Sequence, residues 1–184
     1  AWLARERLIL SSLDCRTPHQ RFAAVVLHQI LINRDDTDRR KIFRLIEHIL
    51  CDTTYPLPGI HNLLHELRFG YIDYRWTWMK PLQAATIHRL ADRCWQVIND
   101  DDRNFACLIL SELESFVEDW TTALIEPKKA LLATWLATPG TAGYGLSRLL
   151  NDLRQSNERL LQAVVSMIVP EQLAKELSVI TPEN

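Results

Sequence analysis

The sequence predicts an all-α fold of about eight helices in an antiparallel, bundle-like arrangement. Apolar residues recur every three to four positions along almost the whole chain, which is the period of an amphipathic helix. The breaks between these stretches contain Pro, Asp, Thr, Asn and Gly, which begin and end helices. Only 5 of 184 residues are glycine, too few for the turn-rich chemistry of a β-sandwich or a nucleotide-binding α/β fold.

Four helices are predicted in the first half of the chain. Pro18 marks the start of the second, because Pro fits the first turn of a helix. The prolines of residues 55–59 form the strongest break, and Gly70 is expected to end the fourth helix. The predicted spans are residues 2–14, 18–33, 60–69 and, for the third helix, from a cap at Asp36 or Thr37 to Leu50.

Four more helices are predicted in the second half. Pro81 and Pro127 begin two of them, residues 99–102 contain capping side chains, and a glycine-containing loop at residues 139–145 precedes the last helix. Pro170 closes that helix before a short amphipathic tail. The predicted spans are residues 81–99, 102–125, 127–138 and 146–169, with the tail at 173–179.

The side-chain pattern of two of these helices predicts which face each of them packs or exposes. The 146–169 helix repeats an apolar residue every seven positions, which is typical of a seam for a partner helix and also of any core helix in a bundle. Its repeat consists of Leu146, Leu153, Leu160 and Met167. The 102–125 helix is expected to turn an acidic face outward, made of Glu112, Glu114, Glu118 and Asp119.

We expect one all-helical domain over residues 1–184, and the absence of an initial Met favours an excised fragment of a longer protein. Comparable breaks recur at intervals of about 40 residues in places. An irregular helical-hairpin (HEAT-like) arrangement is therefore the alternative to a bundle, although no residue motif repeats along the chain.

Charge and cysteine usage narrow the class of protein. Residues 1–80 carry 12 Lys/Arg and 9 Asp/Glu, whereas residues 81–184 carry 9 and 14, an asymmetry far from the basic footprint of a dedicated nucleic-acid binder. Four widely spaced cysteines without a Cys-x-x-Cys pair indicate reduced thiols in an intracellular protein, cytoplasmic or nuclear. With no signal peptide and no apolar run of membrane-spanning length in the sequence, no membrane partner is expected.

The aromatic segment, residues 69–80, is the most informative feature of the sequence. Five of the chain's aromatic residues fall within residues 69–78, interleaved with Arg75. Trp, Tyr and Arg dominate binding hot spots, because each offers a large contact area with a polar group. We therefore predict a partner-binding surface made of Arg68, Tyr71, Tyr74, Arg75, Trp76 and Trp78.

The conformation and burial of the aromatic segment are open from the sequence. Its aromatic residues alternate as in a strand and also share a helical face, and we favour a short helix because the neighbouring segments are helical. The same rings can fill the core, with Arg75 stacked on one of them. They can also stack on the bases of single-stranded RNA.

No coherent catalytic set is present in the sequence. His61 and His65 stand one helical turn apart and, with His48 and Cys51, can be combined into a metal site, but the His-Glu-x-x-His pattern is absent. The Asp-rich stretches precede predicted helices, where carboxylates stabilise the helix dipole. We therefore predict no catalytic residue, no metal and no cofactor.

One part of the chain shows a distant similarity to a known family. The helical SMN-binding partner family, which assembles spliceosomal ribonucleoproteins, is similar at Lys80-Pro81-Leu82, Ile87, Leu90-Ala91, Arg93-Cys94, Asp101 and Arg103. The resemblance implies a role in ribonucleoprotein assembly. It covers residues 80–103 alone, and we assign no family from it.

The sequence favours a non-catalytic protein–protein interaction domain, an adaptor or scaffold subunit of a larger complex. Its partner is expected to be another protein or a second copy of the chain. The alternative is an RNA-associated or ribonucleoprotein-assembly domain, and a metal-dependent helical enzyme comes third. In the RNA alternative the phosphate contacts are Arg34, Arg39, Arg40, Lys41 and Arg44.

Overall fold

A computed structural model describes residues 36–73, 82–138 and 143–168, and these ranges contain helices and no strand. The predicted all-α fold class is therefore confirmed. The seven α-helices are α1 (Asp36–Cys51), α2 (Leu57–Asp73), α3 (Ala84–Trp95), α4 (Asp100–Glu112), α5 (Lys129–Leu136), α6 (Tyr144–Ser156) and α7 (Glu158–Ser166).

The chain divides into two compact units, Ala1–Arg93 and Cys94–Asn184, with the division inside α3. The expectation of a single domain over residues 1–184 stays a prediction. The predicted helices at residues 2–14 and 18–33, and the tail at 173–179, lie outside the described residues.

The described part of the first unit consists of α1, α2 and residues 84–93 of α3. Each helix contributes apolar side chains at helical spacing to a buried face. Arg93 of α3 holds the loop between α1 and α2, because its guanidinium donates to the carbonyl oxygens of Asp52, at 3.0 Å, and Tyr55. The buried apolar residues are Ile46, Leu50, Leu57, Ile60, Leu64, Leu67, Leu82, Ile87, Leu90 and Ala91.

The prediction that Gly70 ends the fourth helix is wrong. The helix α2 runs through Gly70 to Asp73 and begins at Leu57, before the predicted residue 60. Glycine inside a helix costs about 1 kcal/mol relative to Ala, which lowers helix stability but does not by itself end the helix. Pro58 is accommodated because it lies in the first turn, where its missing N–H has no intrahelical partner to lose.

The predicted single helix at residues 102–125 is also wrong. The helix α4 ends at Glu112 and is followed by a 3₁₀ turn, Leu113–Phe116, and by Asp119 in the left-handed region at φ 52°. A π-helical turn, Thr121–Ile125, and a 3₁₀ turn, Glu126–Lys128, then lead into α5. The chain turns back after α4, and the Trp120 indole N–H donates to the Leu110 carbonyl at 2.7 Å across this turn.

Asn157 divides the predicted helix at residues 146–169 into α6 and α7. Its side-chain oxygen accepts a hydrogen bond from the Leu160 amide at 3.0 Å and so caps α7. A continuous seam of four heptad positions is therefore not formed. Leu146, Leu153 and Leu160 are buried, whereas Met167 is 46% exposed.

The helices α4 and α6 lie side by side and run in the same direction. Side-chain contacts join them at a nearly constant sequence separation of 41 or 42 residues, from the Asn104–Gly145 pair to the Glu114–Ser156 pair. Farther along, the Asn157 side-chain nitrogen lies 3.5 Å from the Thr121 hydroxyl oxygen. Asn157 immediately precedes α7, and Thr121 begins the π-helical turn that leads toward α5. The second unit is therefore two stacked helical hairpins, α4 with α5 and α6 with α7, as in the helical-hairpin arrangement considered above.

Gly145 allows the backbones of α4 and α6 to approach closely. A methyl group at this position would lie 2.1 Å from the backbone oxygen of Asn104, a contact that requires the helices to separate. The Gly145 amide also donates to the Asn104 side-chain oxygen at 2.8 Å. The predicted loop at residues 139–145 is wrong at its end, because residue 145 belongs to the first turn of α6.

We expect the substitution Gly145→Ala to lower the free energy of unfolding by about 2 kcal/mol or more, because backbone atoms must move to admit the methyl group. Gly143→Ala should cost less, since its nearest neighbour, at 2.8 Å, is the Asn104 side-chain oxygen, which can move. Urea denaturation of both variants measures the difference. Equal stability of the two variants would contradict the close approach.

Candidate interaction surfaces

The predicted partner-binding surface falls largely outside the described residues. Arg68 is half-buried on α2, and the backbone of Tyr71 belongs to the same helix. Tyr74, Arg75, Trp76 and Trp78 lie outside the described ranges. Because α2 continues to Asp73, the aromatic segment does not begin as a separate element. Its role in partner binding stays a prediction.

The histidine and cysteine candidates for a metal site are not assembled as a set of four. His61 and His65 are half-buried neighbours on α2, with ring centroids 5.8 Å apart. His48 is exposed on α1, and the Cys51 sulfur lies 4.0 Å from the Thr86 carbonyl oxygen. Among the residues that the structure describes, no three of these four hold ligand atoms close enough to share an ion.

A buried polar network joins α4 to α6 and corrects the prediction that Glu112 faces outward. The Glu112 side chain is fully buried, and its Oε1 lies 2.8 Å from an Arg148 guanidinium nitrogen. The Arg148 Nε lies 3.8 Å from the Asp152 carboxylate, which also accepts a hydrogen bond from the Ser111 hydroxyl. This is an ion-pair network inside the second unit.

The sequence contains a signal for this network that the acidic-face interpretation missed. Glu112 follows Leu108 by four residues and Ile109 by three, so it lies on the apolar stripe of α4 and not opposite to it. A carboxylate on a buried stripe requires a cation or several hydrogen bonds, because an unpaired buried charge is strongly unfavourable. Arg148 supplies the cation from the neighbouring hairpin.

The network is largely withdrawn from solvent. Glu112 has no exposed side-chain surface, and 23% of the Arg148 side chain and 19% of the Asp152 side chain are exposed. The arrangement therefore fixes the register of two helices.

Three of the six tryptophans are packing residues of the second unit. Trp95 and Trp135 stack with ring centroids 4.9 Å apart, and the Arg103 guanidinium lies 5.6 Å from the centre of the Trp135 ring. The Trp95 indole N–H donates to the Leu124 carbonyl at 3.2 Å, within the π-helical turn. Trp120, the third, donates its indole N–H to the Leu110 carbonyl, so the indoles of Trp95 and Trp120 are paired, as buried indoles require.

Cys107 is a structural thiol. Burial raises the pKa of this thiol to about 12, although the nearby Arg103 favours its thiolate. Nucleophilic and metal-binding cysteines act as thiolates and have lowered pKa values. Cys107 therefore remains protonated at neutral pH and is inert in both roles.

The anchor groove is a cavity of about 240 Å³ between α5 and the end of α7. The hydroxyl of Thr134 donates to the Ala130 carbonyl at 3.0 Å, and that of Thr138 donates to the Thr134 carbonyl at 2.7 Å. Both hydroxyls thus donate to carbonyl oxygens one turn earlier in the chain, and the groove surface is polar and apolar in similar amounts. The lining residues are Ala130, Ala133, Thr134, Ala137, Thr138, Met167 and Ile168.

Two apolar side chains are exposed at the C-terminal end of α7, where Met167 lines the anchor groove. Val165 is 47% exposed and Met167 is 46% exposed, both at the C-terminal end of α7. Apart from Tyr144, the exposed residues of α6 are polar, among them Ser147, Asn151 and Arg154. Ile98 and Tyr144 of the second unit are also exposed, at 89% and 72%, and neither lines the groove.

The basic face of α1 consists of Arg40, Lys41, Arg44 and His48, with Leu45 among them. All five side chains are exposed, and Leu45 is 58% exposed. Arg40, Arg44 and His48 follow one another at one-turn intervals, so their positions recur about every 6 Å along the helix axis. Three of the predicted phosphate contacts, Arg40, Lys41 and Arg44, therefore share one surface.

The remaining two predicted phosphate contacts are Arg34 and Arg39. Arg34 lies outside the described residues, and the side chain of Arg39 is likewise not among those described. Glu47, at the edge of the basic face, is half-buried and accepts a hydrogen bond from the Gln83 amide at 2.9 Å.

Comparisons with known proteins return no match: no family model, no curated protein and no solved structure is similar to this chain. Within the three described ranges, no helix has the length and apolar character needed to cross a membrane.

We expect Glu112→Leu to lower the free energy of unfolding by about 3 kcal/mol, because it leaves the Arg148 guanidinium largely buried without its closest carboxylate. The double variant Glu112→Leu with Arg148→Met should recover most of this loss, since two apolar side chains replace the pair. Urea denaturation measures all three proteins. A double variant as unstable as the single one would contradict a paired, buried interaction.

We expect Cys107 to make the protein less stable as pH rises above about 8.5, the pKa of an unfolded thiol. The folded pKa is about 12, so the native state keeps the proton that the unfolded state releases. At pH 10 this difference amounts to about 2 kcal/mol. Urea denaturation between pH 7 and pH 10 should show a smaller loss for Cys107→Ala than for the unmodified chain; parallel curves would contradict the shift.

Proposed function

We propose that the chain is a non-catalytic protein–protein interaction domain that serves as an adaptor or scaffold subunit of a larger complex. The observation that supports it best is the anchor groove between α5 and α7, with the exposed side chain of Met167 on its wall. Exposed apolar patches mark interaction sites in folded proteins.

The size and chemistry of the anchor groove favour a side chain over a small-molecule substrate. Its volume of about 240 Å³ is below the ~300–1,000 Å³ of typical ligand sites. Ligand sites also contain convergent polar groups that orient the ligand. Here the Thr134 and Thr138 hydroxyls already donate to carbonyl oxygens of their own segment, so these two donors are not directed at a ligand.

The groove is presented by well-packed helices, which reduces the entropy lost on binding. The Trp95–Trp135 stack holds the start of the second unit to α5, on which most of the lining residues lie. The ion pair of Glu112 with Arg148 holds the first hairpin to the second. A partner therefore meets a surface that is already formed.

The occupant that fits these properties is an amphipathic helix of another protein, which inserts an apolar side chain into the groove. Helix-in-groove recognition uses a few apolar anchors at helical spacing, and the apolar end of α7 extends the contact beyond the groove. In this proposal the aromatic segment, with Trp76 and Trp78, supplies a second contact to the same complex.

Replacing Thr134, which is exposed on the groove wall, by Glu tests this proposal. Proteins that co-purify with the tagged chain are identified by mass spectrometry, then purified and titrated directly. We expect Thr134→Glu to weaken binding at least tenfold, because a charged side chain would meet the apolar anchor of the partner, and to shift Tm by less than about 2 °C. Trp76→Ala and Trp78→Ala should also weaken binding without lowering Tm.

Ser147→Glu is the matched control, since it adds the same charge to an exposed polar position on α6. It should leave the affinity unchanged. Binding that survives Thr134→Glu and both tryptophan substitutions would overturn the proposal. Sedimentation velocity of the purified chain tests the alternative that the occupant is a second copy, in which case Thr134→Glu converts an oligomer into a monomer.

A further inference from the structure

We propose that the chain's own C-terminal tail, residues 173–179, occupies the anchor groove until a partner displaces it. As a regulation of partner binding, this inference rests on the proposed function. The tail itself lies outside the described residues. It is favoured as the occupant by the point where the chain leaves the described fold, by its reach and by its side-chain pattern.

The chain leaves the described fold at the wall of the anchor groove. Ile168 is the last described residue, and together with Met167 it lines the groove. The helix α7 has already ended at Ser166. Pro170 lacks the N–H that a continued helix would need, which favours a new direction for the residues that follow. The tail therefore starts beside the groove.

The tail is long enough to lie along the groove. Four residues separate Ile168 from Leu173, so Leu173 can lie up to about 17 Å from Ile168. The α5 wall runs from Ala130 to Ala137, a distance of about 10 Å along a helix. A helix formed by the tail covers about the same distance between Leu173 and Ile180.

The side chains of the tail match the chemistry of the groove. Leu173, Leu177 and Ile180 stand at i, i+4 and i+7, which places them on one face of a helix. The α5 wall consists of alanines and threonines, whose small side chains leave room for large ones. The Thr134 and Thr138 hydroxyls already donate to carbonyl oxygens, so an apolar side chain in the groove leaves neither of these donors without an acceptor.

Attachment to the same chain favours the tail over a free competitor. A short linker holds a segment near its site at an effective concentration of about 1 mM. A partner helix has to overcome this competition before it can bind. The tail of a second copy has no such advantage in dilute solution.

Cleavage by endoproteinase Lys-C tests the contact directly, because Lys175 lies in the tail. Intact-mass spectrometry of the full chain follows the loss of residues 176–184. Each rate is divided by the rate for a synthetic peptide of residues 169–184 that carries the same substitutions. We expect the chain to be cleaved about fivefold more slowly than the peptide, because the protease cleaves only the undocked tail.

Two variants attack the contact from its two sides. Thr134→Glu changes the groove wall, and the tail variant, Leu173→Ser with Leu177→Ser, changes the face that enters it. Both should raise the rate at Lys175 to that of the matching peptide. Cleavage at Lys129, inside α5, reports unfolding of the hairpin and should stay slow in both variants.

The matched controls are Ser147→Glu, on the exposed side of α6, and Ser178→Ala, outside the apolar face of the tail. Both should leave the rate at Lys175 unchanged. Equal rates for the unmodified chain and its peptide would overturn the inference and leave the proposed function standing. Protection that increases with protein concentration would also overturn it, because the tail would then occupy the groove of a second copy.

Partner binding tests the regulation. With a purified partner, the tail variant should bind about fivefold more tightly than the unmodified chain. Thr134→Glu should cost more affinity in the tail variant than in the unmodified chain, because no competitor is released with it. Equal affinities of the tail variant and the unmodified chain would overturn the regulation. A protected Lys175 that Thr134→Glu releases, in a chain that captures no partner, would support the docked tail and contradict the proposed function.

Discussion

The packing of the second unit depends on a carboxylate and a guanidinium that are withdrawn from water together. Burying an ion costs several kcal/mol, on the order of the stability of a small domain, so Glu112 is tolerated only because Arg148 lies 2.8 Å away. A shift of α6 along α4 by one residue would move the two groups apart and leave a buried charge. The pair therefore opposes alternative registers between the two hairpins.

The same register places the small residue where the helices are closest. The separation of 41 residues that joins Ser111 to Asp152 also joins Asn104 to Gly145, two turns nearer the starts of both helices. Only glycine fits at residue 145, because a Cβ atom would overlap the Asn104 backbone. Electrostatics and steric fit therefore favour one arrangement of α4 and α6, as expected of a sequence whose local and tertiary preferences agree.

The candidate surfaces follow from what this packing leaves outside. In the interior of the second unit Glu112 is paired with Arg148, and the Trp95 and Trp120 indoles donate to carbonyl groups. Among the described residues, the groove between α5 and α7 and the basic face of α1 stay at the surface.

The sequence by itself determined the helical class and most of the helix starts, because periodicity, proline and capping residues are local signals. Asn99, for example, accepts a hydrogen bond from the Asp102 amide at 2.7 Å, at the predicted break. It also placed Arg40, Lys41 and Arg44 on one helix, since their spacing alone puts them on one face. The role of the aromatic segment in partner binding stays a prediction.

Only the tertiary structure decided where long apolar stretches break and which charges are buried. The reversal after α4 rests on Trp120 reaching the Leu110 carbonyl, and the break before α7 rests on Asn157 turning its side chain back to cap the next helix. The burial of Glu112 depends on Arg148, 36 positions away in sequence but 2.8 Å away in space. Contacts between distant residues leave no periodic trace in a sequence, so they become visible only when the chain is folded.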